Sequence, residues 1–110
     1  MSDTAAVLKD IFDKMPGELN ADAASGLDCV IQHELTGDAA GNYYVAIKDG
    51  AATVSEGTHE NPTMTLTMEA ADFVALSTGE LDGMSAFMGG KLKIAGDMGL
   101  AMKMQSLFGA

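Results

Sequence analysis

Residues 64–79 read MTLTMEAADFVALSTG, and the period of their apolar positions changes partway along. Met64, Leu66 and Met68 alternate with Thr65 and Thr67, which predicts a strand with one apolar face. From Ala70 the spacing lengthens, and Phe73, Val74 and Leu76 fit one side of a helix that Gly79 ends. Upstream of this switch the period is mostly two. Leu27, Cys29, Ile31, His33 and Leu35 share one face of a strand, while Asp28, Gln32 and Glu34 point away. Tyr43, Val45 and Ile47 line the next strand. Asp49-Gly50, a pair that tolerates positive φ, turns it into a third, in which Ala52 and Val54 alternate with Thr53 and Ser55. Downstream, helical spacing dominates.

At the N-terminal end, Val7, Leu8, Ile11, Phe12 and Met15 recur on one helix face, capped by Asp3 or Thr4 and stopped by Pro16-Gly17. After residue 79, Asp82 can cap a short helix carrying Met84, Phe87 and Met88, ended by Gly89-Gly90. Leu92 and Ile94 then alternate with Lys91 and Lys93 in a fifth strand, and Asp97 can cap a last helix from Met98 to Phe108. The order is α-β-β-β-β-α-α-β-α. Strands that run together, with helices gathered late, predict an α+β fold: a five-stranded, mainly antiparallel sheet with helices on one face.

The chain has 110 residues, 47% hydrophobic and 20% charged, and is read as one domain over residues 1–110. Sixteen acids stand against six lysines with no arginine, and the net charge of −10 argues against nucleic-acid binding. The imbalance is uneven. Residues 1–82 carry fifteen acids and three lysines, whereas residues 83–110 carry Asp97 against Lys91, Lys93 and Lys103. Five of nine methionines (Met84, Met88, Met98, Met102 and Met104) fall in that same non-acidic stretch. One cysteine excludes an internal disulfide and fits a reducing compartment. With no run of about 18 apolar residues and an acidic N-terminus, the expected location is cytoplasmic.

The last helix lacks a broad polar face. Leu100, Met104, Leu107 and Phe108 make one apolar side, and Met98, Ala101 and Met102 another. Such a helix is buried on two sides or walls a cavity, and methionine, unbranched and polarizable, suits a wall that meets guests of varied shape.

No catalytic constellation emerges. Cys29 and His33 lie about 13 Å apart along one strand, beyond reach of a nucleophile–base pair. Cys29 reads as a small buried hydrophobe, His33 as a core histidine and His59 as a solvated loop residue. No metal site is completed, and no cofactor is expected. Gly89-Gly90-Lys91 lacks the Ser or Thr and the first Gly of a phosphate loop.

The run Met64-Thr65-Leu66-Thr67-Met68, the stretch from Asp72 to Leu81 and the block from Ala86 to Met98 together resemble the sterol carrier protein 2 family of lipid-transfer domains, in its stand-alone bacterial type. The likeness extends over nearly the whole chain. It implies helices covering a five-stranded sheet, an apolar tunnel between them, and non-catalytic binding of a fatty acid, fatty acyl-CoA, phospholipid or sterol. Phe73, Leu76, Met84, Phe87, Met88, Met98 and Met102 are the expected tunnel lining. Three features depart from the family pattern. The chain ends Phe108-Gly109-Ala110, not in a peroxisomal tripeptide. His33 occupies an apolar-face position where an aromatic or aliphatic residue is expected. Met84 and Met102 replace glutamines of some relatives, which implies a drier tunnel.

A lipid carrier is therefore the leading expectation, with weak, transient membrane contact through Lys91, Lys93 and Lys103. The alternative is a protein-interaction module whose Met-rich groove takes a partner's apolar helix. An enzyme acting on acyl thioesters ranks last.

Overall fold

The computed structural model describes residues 4–37 and 40–107. The chain runs α1 (Thr4–Glu18), β1 (Asp28–Thr36), β2 (Gly41–Lys48), β3 (Ala51–Glu56), β4 (Met64–Glu69), α2 (Ala70–Thr78), α3 (Gly83–Met88), β5 (Leu92–Gly96) and α4 (Met98–Leu107). The element order is the one read from the periods. Asp49 and Gly50 make the tight β2–β3 turn with φ of 54° and 76°. Gly79 ends α2 at φ 85°. The helix α1 runs past Pro16 to Glu18, because a proline near a helix end forfeits a single intrahelical bond. Asp3 and Phe108, assigned from the sequence to the first cap and to the last helix, lie outside the described residues, as does the Met104 side chain.

The sheet order is β3-β2-β1-β4-β5. Three of its four pairings are antiparallel, and β1 with β4 is parallel, Ile31 opposite Met64 and Leu35 opposite Met68. That parallel pair follows from the connection after β3. The chain leaves one edge of the sheet at Glu56 and must cross beneath β2 and β1 before β4 can start. Residues 57–63 make the crossing, about 25 Å of reach if extended. The crossing segment is stitched to β1 at its far end, where Thr63 donates its N–H to the Val30 carbonyl (2.8 Å) and accepts the Val30 N–H at Oγ1 (3.0 Å).

The helices cover the opposite face. Cys29, Ile31, His33 and Leu35 of β1, Val45 and Ile47 of β2, and Met64, Leu66 and Met68 of β4 are buried there beneath Leu8, Phe12 and Met15 of α1 and Phe73 of α2. The packing places α1 on β3 and α2, and α2 on β4 and β1, while α3 and α4 sit over β5 at the sheet edge.

Gln32 corrects the expectation that its side of β1 faces water: it is 1% exposed. The crossing segment seals it. Its Nε2 donates to the carbonyls of Tyr43 (3.2 Å) and Gly57 (3.0 Å), and its Oε1 accepts the His59 N–H (2.8 Å). A single amide side chain thus fastens the loop to the sheet, and burial costs little because its hydrogen bonds are made. His59 is half-buried rather than simply solvated. Its Nδ1 accepts the Asn61 N–H (3.0 Å), and its ring meets Tyr44 edge-on at 5.2 Å.

Gly96 closes the other side of the crossing. It has φ of 100°, and a Cβ there would lie 2.6 Å from the Thr63 carbonyl oxygen and 3.0 Å from the Met64 Cα. Both neighbours are backbone and cannot swing aside. Gly96→Ala is expected to destabilise the fold by about 2 kcal/mol or more. Gly26→Ala, at φ 78° with nothing within 4 Å, is expected to lose only the conformational part, about 1 kcal/mol. Denaturant midpoints of the two variants check this; equal losses would contradict it.

Candidate functional site

Two short helices after residue 82 share one design. Asp82 accepts the Ser85 N–H (3.0 Å) to start α3, and Asp97 accepts the Leu100 N–H (3.1 Å) to start α4. Both caps are those read from the sequence. Each helix is anchored by small or aliphatic residues, Ala86 in α3 and Leu100 with Leu107 in α4. At 100° per residue, Met84 and Met88 point opposite Ala86, and Met98 and Met102 point opposite Leu100 and Leu107.

The methionines so placed are open to solvent. Met84 is 58% exposed, Phe87 41%, Met88 80%, Met98 47% and Met102 76%. Val7 is the other exposed large hydrophobic among the described residues. The seven residues assigned to a tunnel wall therefore divide. Phe73 is buried in the core and Leu76 packs against it, while the other five form the outer faces of α3 and α4. Leu107 ties α4 back toward α1, its carbonyl accepting the Asn20 N–H at 2.7 Å. Lys91 and Lys93 are exposed; Lys93 alternates in β5 with the inward Leu92 and Ile94 and so points to the sheet face away from the helices, Lys91 lies just before that strand, and Lys103 is exposed on α4. None of the three is in an ion pair among the described residues, where the salt bridge formed is Lys14–Asp10 on α1.

Beneath α1 and α2 lies an aromatic cluster. Phe12 stacks on Tyr43 (4.4 Å between centroids) and on Phe73 (5.3 Å). The imidazole of His33 meets the edges of Phe12 and Phe73, each at 5.4 Å. His33 is 1% exposed, and neither ring nitrogen makes a hydrogen bond of good geometry among the described residues. An orphaned buried donor costs about 1–3 kcal/mol. Desolvation holds its pKa down from 6.5 to about 4, with a weak counter-pull from the Ile31 backbone, so the ring is neutral at pH 7. Beside the cluster, an open surface depression of about 480 Å³ is lined by Ala40, Gly41, Asn42, Tyr43, Glu56 and Gly57. No sequence motif marks it, because it forms where the start of β2 meets the end of β3.

Cys29 is buried and unpaired. Burial raises its thiol pKa, the Asp28 and Asp97 charges add to that, and Lys103 opposes them. A thiol so placed is protonated and unactivated. Among the described residues no cluster of three His, Cys, Asp or Glu could hold a metal ion.

Comparison with known proteins supplies the context for this arrangement. Residues 8–109 match the SCP-2 sterol transfer family. The chain is 32% identical over 109 residues to hydroxysteroid dehydrogenase-like protein 2 of Xenopus tropicalis, an alignment that takes in 98% of this chain and 26% of that protein. It is 48% identical over 65 residues to sterol carrier protein 2 of Rattus norvegicus, covering 59% of this chain and 12% of that one. The chain thus spans about a quarter or less of the length of these relatives. Its fold matches the solution structure of palmitated SCP2L2 from Aedes aegypti with a TM-score of 0.76 at 23% identity, covering 100% of this chain and 96% of the other.

His33 gives the site a testable acid response. Its pKa is lower in the folded chain, so between about pH 4 and 6.5 the unfolded state binds more protons and stability falls as pH falls. The slope is about 1.4 kcal/mol per pH unit, so acidifying from pH 7.5 to 5.0 should cost about 2 kcal/mol through this residue. Unfolding free energies at the two pH values should differ by that much more in the parent than in His33→Phe. Equal losses would show that His33 is not the neutral buried group described.

Proposed function

The chain belongs to the SCP-2 sterol transfer family, and from that premise we propose that it is a non-catalytic carrier of one fatty-acyl or comparably apolar lipid, working in the cytoplasm. The observation that carries this reading is the outer face of α3 and α4. Five large apolar side chains stand open there, each on a short helix held from behind, and a lipid chain would cover them. On this reading Met84, Phe87, Met88, Met98 and Met102 close over the ligand, with Phe73 and Leu76 forming the floor on the core side. A fatty acid, a fatty acyl-CoA, a phospholipid or a sterol would suit such a wall, since methionines adapt to differently shaped guests. Burying about 14 methylenes gains about 11 kcal/mol gross, of which association and ordering costs leave a part. The palmitated neighbour of the same fold supports an acyl chain as cargo. The buried, protonated thiol of Cys29 argues against acyl-thioester chemistry.

Cargo must be collected and delivered. Lys91, Lys93 and Lys103 would steer this end of the chain to an anionic bilayer, each worth at most about 1 kcal/mol. The Debye length of about 8 Å at physiological salt lets them act apart from the distant acids. Docking of this kind is weak and transient.

The exposure of Met98 and Met102 also fits a second reading, a groove that receives a partner's apolar helix. Family membership favours the carrier. Binding of a fluorescent fatty acid separates the two. The carrier is expected to bind it, and Met88→Gln with Met102→Gln to weaken binding by about tenfold. Failure of the parent to bind would favour the partner helix. Transfer of the same probe to vesicles of phosphatidylglycerol and phosphatidylcholine should slow with added salt and in a Lys91/Lys93/Lys103→Gln triple variant. Rates indifferent to both would rule out electrostatic docking.

A further inference from the structure

We propose that Met84, Met88, Met98 and Met102 form an oxidation-sensitive modification site, at which hydrogen peroxide converts thioethers to sulfoxides and thereby weakens lipid binding. The inference rests on the carrier reading and adds to it a regulation that acts on the ligand-covering face.

The first observation is how the described methionines sort. Met15, Met64 and Met68 are 8% exposed or less, whereas the four on α3 and α4 are 47% exposed or more. Within α4 the apolar residues divide by type: Leu100 and Leu107 are buried, while Met98 and Met102 stand outside. α3 repeats the arrangement, with Ala86 inward and Met84 and Met88 outward. Each outer pair is spaced i, i+4, so the two thioethers of a helix are neighbours on one face. An oxidant in water therefore reaches these sulfurs while the core sulfurs are screened. Leucine would also cover an acyl chain and is inert to peroxide. Thioethers at these positions make the face both adaptable and oxidisable.

The second observation concerns what oxidation leaves intact. Cys29, the sole thiol of the chain, is buried. Burial and the nearby Asp28 and Asp97 charges raise its pKa, so it stays protonated and is a poor trap for peroxide. The caps and buried anchors of α3 and α4 are Asp82, Asp97, Ala86, Leu100 and Leu107, none of which carries sulfur. Oxidation thus changes the outer face without removing a support. In the step itself, a sulfur lone pair attacks one oxygen of hydrogen peroxide and the O–O bond breaks. The departing hydroxide takes the proton from the new S–OH and leaves as water. Sulfur loses two electrons and the peroxide gains them. The resulting S=O group is a strong acceptor, and an acyl chain laid over it leaves it without a hydrogen bond.

The test uses the full chain, stripped of lipid, with hydrogen peroxide as oxidant and palmitate as ligand. Peptide mass mapping over time should find an added oxygen at the outer four methionines several times sooner than at Met15, Met64 or Met68. Bound palmitate should slow the reaction at the outer four. Once these are sulfoxides, palmitate affinity should fall about tenfold, with the thermal unfolding midpoint unmoved. Methionine sulfoxide reductases for both epimers, with a dithiol as reductant, should restore it. The quadruple variant Met84→Leu/Met88→Leu/Met98→Leu/Met102→Leu should keep whatever affinity it starts from through the same treatment. It retains Met104, so any effect of that residue appears in variant and parent alike. Affinity unchanged in the oxidised parent, or lost equally in the leucine variant, would overturn the switch and leave the carrier reading intact. So would oxidation of the buried methionines at the same pace, or bound palmitate that protects none of the outer four. If the untreated chain binds no palmitate, the carrier reading falls and the switch falls with it.

Discussion

The constraint on which the rest of the molecule depends is the burial of the middle of β1, at Gln32 and His33, on both faces. Neighbouring residues in one strand point in opposite directions, yet Gln32 and His33 are each 1% exposed. One face is closed by α1 and α2, the other by the segment between β3 and β4. Because β1 pairs with β2 on one side and β4 on the other, it has no free edge. Its central position also forces the crossing under the sheet and the parallel pairing with β4.

The two buried polar residues are handled differently. Gln32 makes three hydrogen bonds and holds the crossing segment. His33, one residue on, makes none of good geometry among the described residues. A fold that satisfies one side chain so fully and leaves its neighbour unpaired spends stability at a particular point, and polar groups of that kind call for an explanation.

Much of the architecture was legible because it depends on local periods. The alternation through Leu27–Leu35 and Met64–Met68, the Asp49-Gly50 turn, and the Asp82 and Asp97 caps all involve neighbours in sequence, and all appear where the pattern puts them. Gln32 was misread because its burial depends on a loop some 25 residues away, which no strand period encodes. The same limit applies to the open depression at Tyr43, built from two strand ends, and to the unpaired state of His33. The helical faces of α3 and α4 were legible as apolar. Whether such a face meets the core or the solvent depends on which side carries the anchor. Here Ala86, Leu100 and Leu107 take that part, and the larger methionines are left outside.

The outward methionines, the aromatic floor and the family membership meet in one claim, that this chain carries a lipid. Native mass spectrometry of freshly purified protein tests it most directly, since a carrier leaves the cell with cargo in place. The account predicts a discrete adduct of one lipid per chain, or, in delipidated protein, uptake of one palmitate when it is supplied. The bare chain mass alone, unchanged after palmitate is added, would contradict it.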